Sequence, residues 1–316
     1  MFKIQLLFFV FIFALPSTAQ TIPTEIGVVF ENDLYTSTLN DKYYTNGLEV
    51  FYRFLNKKSN EKVNKIISEF RIGQHIYNPQ TIKANDLNKN DRPFAGYLFF
   101  RGGWNTYYQN ESMRRINFQM GYVGLNAFGE EIQKLFHKTF GYSDVEGWQY
   151  QIQNTLALQS NLYYSKNVVS SLSNQHLDLQ FVGDLNLGTI SNGISVGFLS
   201  RISLKKLLPV YNSNLYNGSL NSNKKVYKEE SEFYFYINPN INYQWYDATI
   251  QGSLFNDNSP VTFSLMPFRF NGEAGLKYKK NNWNLNYNFV YKGKEAKNNV
   301  IIGYFYGSIG ASYLLN

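Results

Sequence analysis

The chain has 316 residues, a formal net charge of +7 and no cysteine. Without cysteine, a disulfide framework is excluded, and so are sites that use Cys as nucleophile or metal ligand. The Lys residues are spread along the chain and are not gathered into a stripe, so we do not expect nucleic acid as a partner. Aromatic residues make up 18% of the chain, with 26 Tyr and 26 Phe, although only 44% is hydrophobic. That combination is typical of a membrane barrel, in which aromatic rings form girdles at both interfaces.

The first predicted element is a secretory signal peptide over residues 1–19. Lys3 gives it a positive start, Leu6–Leu15 is an apolar run, and Ser17–Ala19 supplies the small residues that a signal peptidase requires. We predict cleavage after Ala19. The alternative is a transmembrane anchor, but the run is too short to span a bilayer core of about 30 Å. Residues 20–316 then form one mature domain.

Past the signal peptide, apolar and polar residues alternate with a period of two. The mean hydropathy is −0.35, and no apolar run approaches the roughly 18 residues of a membrane-spanning helix. Leu48–Phe54 alternates well, and Trp283–Tyr291 places apolar residues on one face and Asn on the other. This pattern predicts strands that face lipid on one side and a polar barrel interior on the other.

We therefore predict an all-β fold, a transmembrane antiparallel β-barrel of about 12 strands with a short helix in an extracellular loop. The strands are expected near residues 24–34, 44–55, 66–77, 96–108, 114–125, 148–165, 174–188, 192–202, 229–246, 263–279, 283–293 and 301–315. An even number of strands is usual for single-chain bacterial barrels. The helix is predicted over Glu130–Phe140, because apolar residues recur there at spacings of three and four.

Both chain ends of such barrels normally lie in the periplasm, so the connections after odd-numbered strands are expected to be extracellular. They include residues 35–43, 78–95 and 126–147, which hold most of the unusual residues of the chain and should lie together on one rim. The connection 203–228 does not fit, because it follows strand eight and is long and polar. Either a strand is miscounted or the barrel has an unusual periplasmic loop.

An oxygen-rich cluster is predicted at the upper end of the first hairpin. Glu31–Asp33 ends the first strand and Tyr43–Gly47 begins the second, so the two segments face each other. They bring together carboxylate, carboxamide and hydroxyl oxygens, which suit a hard cation such as calcium. The alternative is ordinary turn chemistry at the end of a hairpin, for which Asn, Asp and Gly are the usual residues.

His137, on the predicted helix, is a candidate general base, since histidine is the natural base for catalysis near neutral pH. Gln133 lies one turn earlier on the same face, and Glu131 lies six residues earlier. The alternative is an ordinary surface or capping histidine. His75 and His176 lie within strand patterns without an acidic neighbour in sequence, so we interpret both as structural.

A third polar group enters strand four, where we interpret Asp91 and Arg92 as an ion pair or loop brace. The sequence contains no phosphate loop and no His-Glu-x-x-His zinc motif. Gln151, Asn154 and Ser160 share one predicted strand. A serine hydrolase of the outer-membrane phospholipase kind, however, needs a His shortly before its Ser on a strand, and that arrangement is missing.

Five motifs, in their order along the chain, resemble those of the lipid A 3'-O-deacylase family, the LpxR-type outer-membrane barrels. They are FENDLY with DKYYTNGLEV, NDRPFAGYLF, GLNAFGEEIQKLFHKTFG, GWQYQIQN and YDATIQGSLF. The resemblance covers nearly the whole mature chain and is strongest over residues 25–154. It implies a twelve-stranded barrel with a calcium-dependent esterase site between the barrel wall and the extracellular loops.

The resemblance also carries functional residues onto the positions that match the family's motifs. It implies the catalytic residues His137, Asn32, Thr45 and Lys83, the substrate-binding residues Tyr44 and Gln133, and the metal ligands Asp33 and Glu131. Lys83 is the nearest match in the second extracellular loop, whose length differs from the family's. Asp144 stands closest to an acidic residue that the family has shortly after its histidine.

The function implied is that of an outer-membrane esterase that hydrolyses the 3'-linked acyloxyacyl group of lipid A, with a His general base and an oxyanion stabilised by calcium. Lipopolysaccharide is then the partner, which suits the basic charge, and we expect a monomer in the outer membrane. The alternatives are a barrel without catalysis, such as a pore or a structural protein, and an esterase that acts on phospholipid. Fold alone does not separate them; the presence of the family's catalytic residue types favours the enzyme.

Overall fold

The computed structural model describes residues 22–36, 43–56, 60–171, 174–222, 230–300 and 303–315. The predicted signal peptide lies outside these residues, as do parts of the 35–43 and 203–228 connections. Twelve antiparallel strands form a closed barrel, in which each strand pairs with its neighbours in sequence and the first pairs with the last. The predicted fold class is confirmed.

Each of the twelve predicted strands has its counterpart. They are β1 Thr24–Asn32, β2 Tyr43–Asn56, β3 Val63–Asn78, β4 Ala95–Tyr108, β5 Met113–Val123, β6 Thr155–Val169, β7 Leu177–Gly188, β8 Ser191–Ile202, β9 Glu232–Asp247, β10 Phe268–Lys280, β11 Trp283–Gly293 and β12 Gly303–Leu315. The prediction was wrong for the beginning of β6, which we expected at residue 148. Trp148 begins a short turn and is buried among the extracellular loops rather than in the wall.

Among the described residues, two α-helices lie in the connections at one rim. α1, Gly129–Phe140, follows β5 as predicted, and α2, Ala248–Gln251, follows β9. No helix within the described ranges is long and apolar enough to cross a membrane. Thr24 of β1 pairs with Leu315 of β12, so the first strand begins and the last strand ends at the end of the barrel opposite these helices. The rim that carries α1 is therefore the extracellular one.

The outer surface of the wall is apolar because every second side chain points to lipid. In β3, β4 and β5 these are the even-numbered residues: Phe70, Ile72, Phe100, Phe118 and Met120 are all exposed. Odd-numbered neighbours point into the lumen. Whether a loop covers even-numbered or odd-numbered strand residues therefore shows whether it packs on the outer or the inner side of the wall.

A network of buried charges crosses the lumen. Arg53 lies 3.1 Å from Glu25 and 2.5 Å from Glu69, and Arg71 lies 2.8 Å from the second oxygen of Glu69. Arg71 also pairs with Glu49. Because each of these carboxylates has a cationic partner, the side chains fill the barrel interior without leaving uncompensated charge.

The connection after β8 folds back into the periplasmic end of the barrel, and we call its described part, residues 203–222, the plug. It forms one cluster with buried wall residues; this cluster includes Leu207, Val210, Leu215, Tyr216 and Leu220 of the plug and Ile67, Tyr107, Met113, Leu199 and Tyr234 of the wall. Lys65 donates to the carbonyl oxygens of Gly218 and Leu220, at 2.5 and 2.6 Å. The strand count was therefore right, and the connection is long because it fills the barrel.

Candidate functional site

The upper end of the first hairpin is held by a pair of amides. Asn32 faces Asn46 across the β1–β2 ladder, and its Nδ2 donates to the Oδ1 of Asn46 at 2.6 Å. The Oδ1 of Asn32 accepts from the backbone N–H of Leu34 at 2.7 Å and so caps the short turn that begins at Asp33. Asp33 is 1% exposed. Asn32 thus fixes the position of a buried carboxylate at the rim.

Thr45 is the extra residue of a β-bulge in β2. Tyr44 lies opposite Tyr77 and Asn46 lies opposite Ile76, so Thr45 has no partner in the β3 ladder. A bulge bends the strand and re-aims the side chain that it carries. Thr45 is buried, and within the described part of the chain its Oγ1 has no hydrogen-bond partner. Since Asn32 and Asn46 face each other, Thr45 and Asp33 flank this pair on the same side.

Tyr44 lies on the other side of the wall from the two amides. Its hydroxyl donates to Glu31, and its ring packs against Tyr77 and Tyr306 at centroid distances of 5.2 and 4.6 Å. Glu31, like Glu25, points into the lumen. The bulge therefore separates Tyr44, which lies inside the barrel, from Asn46, which lies outside.

The loop between β5 and β6 packs on the outer face of the wall and not over its mouth. Gln74 and Gly96 occupy even-numbered positions, which face lipid elsewhere in β3 and β4, yet both residues are buried. The Nε2 of Gln74 donates to the carbonyl oxygen of Ala127 at 2.5 Å. Gly96 touches the backbone of Gly129, because a Cβ atom at Gly96 would lie 3.1 Å from the Cα of Gly129. Glycine at both positions lets helix α1 approach the strand backbone closely.

Helix α1 buries only one narrow strip, formed by Gly129, Gln133 and His137 at successive turns. Gln133 is completely buried, and its Oε1 accepts from the Nε1 of Trp148 at 2.8 Å. Trp148 in turn belongs to the cluster that covers Ile76 of β3. From Gly129 above β4, the helix runs across the outer wall to β3.

His137 is held in one orientation by the loop that follows the helix. Gly141, at φ 72°, ends the helix, and the N–H of Tyr142 donates to the carbonyl oxygen of His137 at 2.9 Å. This turn brings the carbonyl oxygen of Ser143 to 2.5 Å from the Nδ1 of His137. A carbonyl oxygen only accepts, so Nδ1 carries the proton and, in the neutral ring, the Nε2 lone pair is left to accept one.

Lys83 and Glu131 occupy exposed positions near this helix. The loop of Lys83 is joined to the loop after α1 by backbone bonds of Glu146, at 2.7 Å to Ile82 and 3.1 Å to Ala84. Lys83 therefore belongs to the same loop assembly as His137. Glu131 lies on the flank of α1 that points away from Gln133, so the described structure does not bring it to Asp33. Asp144 is exposed in the loop after the helix.

The rim offers oxygen donors for a hard cation, although no three Asp, Glu or His side chains of the described ranges come close enough to form a metal site. Calcium can also be coordinated by neutral oxygen ligands such as hydroxyl and amide oxygens. The Thr45 hydroxyl and the Asp33 carboxylate lie beside the Asn32–Asn46 amide pair. Asn78, which pairs with Tyr43, is completely buried, and neither of its amide atoms has a hydrogen-bond partner among the described residues. These donors fit calcium better than zinc, which prefers nitrogen and sulfur.

Asn78 and Trp148 were missed by the sequence reasoning. Asn78 has the outward parity of β3, where lipid contact would favour an apolar side chain. An amide at such a position is a signal that the wall is covered there. Trp148 gave no such signal, because its partner Gln133 is 15 residues away on a different element.

Asp91 and Arg92 brace the rim, but with different partners. Asp91 accepts from the hydroxyl of Tyr43 at 2.6 Å, and Arg92 lies 2.9 Å from both Glu295 and the Thr249 hydroxyl. Burial by itself lowers the pKa of Arg92, but the surrounding acidic groups, with Glu295 foremost, together more than offset this, so the pKa lies above its usual value. Burial by itself raises the pKa of Glu295, but Arg92 is the main charge that holds it below its usual range.

The two remaining histidines have structural partners. His75 lies in the lumen with its Nε2 2.9 Å from Glu49, and the Nδ1 of His176 lies 3.1 Å from the carbonyl oxygen of Ser203 at the periplasmic end. Ser160, on β6, is exposed on the lipid-facing side. His75, His176 and Ser160 therefore all lie outside the extracellular loop assembly.

Comparisons with known proteins agree with this architecture. Residues 6–315 match the profile of a family described as outer membrane protein LpxR. The structure is similar to that of LpxR from Salmonella typhimurium, with a TM-score of 0.72 and 17% identity, over 92% of this chain and 99% of that one. It is also similar to the beta domain of the Bordetella autotransporter BrkA, with a TM-score of 0.49 and 8% identity, over 93% and 99% of the two chains; nothing is inferred from this weaker likeness. No curated protein sequence matches the chain at a significant level.

Proposed function

Because the chain belongs to the LpxR family of outer membrane proteins, we propose that it is a lipid A deacylase that hydrolyses the 3'-linked acyloxyacyl ester. The observation that carries the proposal is the position of His137. The carbonyl oxygen of Ser143 orients the His137 ring. The helix that carries His137 lies against the outer face of the wall. A base in that place can act on an ester in the outer leaflet, where lipid A resides.

In the proposed reaction, the Nε2 of His137 accepts a proton from a water molecule while the water oxygen attacks the acyl carbonyl carbon. The ester C–O bond then breaks, the acyl group leaves as a carboxylic acid, and the 3' oxygen of the sugar takes up the proton. A positioned general base contributes roughly 10²–10⁴-fold to such a rate. The carbonyl oxygen of Ser143 fixes the tautomer that leaves Nε2 unprotonated.

The chemistry that calcium supplies when bound is positive charge beside the oxyanion that forms on the acyl carbonyl. Asp33 would hold the ion, with the Thr45 hydroxyl and the Asn78 amide as further oxygen donors. Asn32 acts as a positioning residue, because it caps the turn that begins at Asp33. Glu131 was expected as a second ligand; its exposure on the far flank of α1 gives it no support in that role.

The remaining expected residues have supporting roles in this proposal. Lys83 is exposed beside the loop assembly and can pair with a phosphate of lipid A. Gln133 holds Trp148 under the helix and so sets the position of His137. Tyr44 supports the hairpin from within the lumen through Glu31.

The two alternatives predict different behaviour. A pore is disfavoured because the charge network and the plug fill the lumen, with a cavity of about 400 Å³ between them. A phospholipid esterase could use the same base and oxyanion chemistry, so only substrate tests separate it from a lipid A deacylase.

The test uses purified protein with calcium and either lipid A or phosphatidylethanolamine in detergent micelles, with products identified by mass spectrometry. We expect lipid A to lose its 3'-acyloxyacyl group and the phospholipid to stay intact. Release of fatty acid from the phospholipid alone would support the second candidate. No product from either lipid, with a fully folded barrel and added calcium, would overturn the enzymatic proposal.

A further inference from the structure

Helix α1 has three distinct faces, of which only the narrow one packs on the protein. The charged flank carries Glu130, Glu131, Lys134 and Lys138, with the Lys134 Nζ 2.5 Å from Glu130. The apolar flank carries Ile132, Leu135, Phe136 and Phe140. Leu135 and Phe140 are 63% and 61% exposed. A water-soluble loop rarely presents so large an apolar flank without a partner.

The apolar flank begins where the lipid-facing wall ends. Along β3, Ile72 is 59% exposed to lipid, while Gln74, the next residue on the same face, is already covered by the loop of α1. Two residues along a strand span about 7 Å. The helix therefore starts directly above the exposed part of the wall, on its outer side.

Exposed apolar side chains also connect the wall to the helix along the chain. Met120 and Tyr122 are the last outward-facing residues of β5, and Leu125 and Phe128 follow before α1. All four are at least 43% exposed. The apolar flank of α1 is thus a continuation of the surface that contacts the acyl chains, and not an isolated patch.

We propose that α1 is an interfacial helix whose apolar flank is embedded among the acyl chains of the outer leaflet, with its charged flank at the level of the head groups. An amphipathic helix with Lys on one side and Phe and Leu on the other binds to membranes in this way. The helix that carries His137 is then held between the barrel wall and the lipid. This proposal concerns the position of the helix and does not depend on whether the protein hydrolyses lipid A.

The absence of cysteine from the chain allows a direct test. Single cysteines replace Leu135 and Phe140 on the apolar flank and Lys134 and Lys138 on the charged flank, and each is labelled with a nitroxide. Phe118→Cys, on the lipid-facing wall, is the reference. The mature protein is refolded into phosphatidylethanolamine–phosphatidylglycerol vesicles, and a heat-modifiable gel shift selects folded barrels.

Collision of the nitroxide with oxygen, which concentrates in hydrocarbon, is compared with collision with a water-soluble nickel chelate. We expect oxygen-to-nickel ratios at Leu135→Cys and Phe140→Cys that approach the ratio at Phe118→Cys and clearly exceed those at both lysine positions. Equal ratios on the two flanks would overturn the proposal. So would dipolar broadening at Leu135→Cys that disappears on dilution with unlabelled protein, because a second copy would then cover the flank.

Discussion

Replacing Gly129 with Ala should displace α1 from the wall. A Cβ atom at this position would lie 2.7 Å from the Cη2 of Trp148 and 3.0 Å from the Cα of Gly96. Carbon atoms in contact are normally about 3.5–4.0 Å apart, so one side must yield by about 1 Å. Trp148 is 1% exposed and bonded to Gln133, and Gly96 is strand backbone. The helix is therefore the part that moves.

His137 lies two turns further along the same helix, so it moves as well. A misplacement of about 1 Å can lower turnover by about 10²-fold, and we expect a loss of that size for Gly129→Ala. Turnover is measured as release of the 3'-acyloxyacyl acid from lipid A in micelles, and heat-modifiable mobility shows that the barrel is folded. Gly183→Ala is the matched control, because its nearest non-neighbouring atom would be 3.9 Å away. Unchanged turnover of Gly129→Ala would refute the view that the contact with Gly96 sets the position of His137.

Four further predictions test other parts of the structure. Thr45→Val keeps the shape of the bulge but removes the buried hydroxyl, so turnover and calcium affinity should both fall while thermal stability stays; normal calcium binding by calorimetry would remove Thr45 from the ligand set. Trp148→Phe leaves the Oε1 of Gln133 buried without its donor, a cost of about 1–3 kcal/mol, and should raise amide hydrogen exchange in α1 but not in the strands. Because the pKa of Glu295 is lowered in the folded state, the brace to Arg92 contributes fully above the ordinary Glu value of about 4.3 and is lost as pH falls below it; proteolysis of the 79–94 loop should increase at acid pH in the wild type, and Glu295→Gln should abolish that dependence. Deletion of residues 206–220 from the plug should open the lumen, so that ion conductance appears in planar bilayers; an equally closed barrel would show that the charge network alone seals it.

The barrel was predictable because each strand separates two unlike environments. Trp283–Tyr291 alternates apolar residues with Asn, and it forms most of β11 in the register that this pattern requires. The helical period was equally visible, and α1 differs from the prediction by one residue at its beginning. Local patterns of this kind specify which face of an element meets lipid, lumen or solvent.

What the sequence did not reveal are the contacts between distant segments. Nothing near Gln74 indicates that the loop of α1 covers it from outside, since its partner Ala127 is 53 residues away. The plug was seen only as a misfit in loop length, because Lys65 and Gly218 are 153 residues apart. The bulge at Thr45 depends on the register of β2 against β3 and leaves no local signature.

The central claim is that His137 serves as the base for deacylation of lipid A, and lipid A profiles from cells test it most directly. The wild type, His137→Ala and His176→Ala are expressed at equal levels in a host whose lipid A carries the 3'-acyloxyacyl group, and lipid A is analysed by mass spectrometry. His176 is the control, because it lies at the periplasmic end. We expect the wild type and His176→Ala to yield lipid A that lacks the 3'-acyloxyacyl group, and His137→Ala to leave it intact. Deacylated lipid A in all three strains would contradict the account.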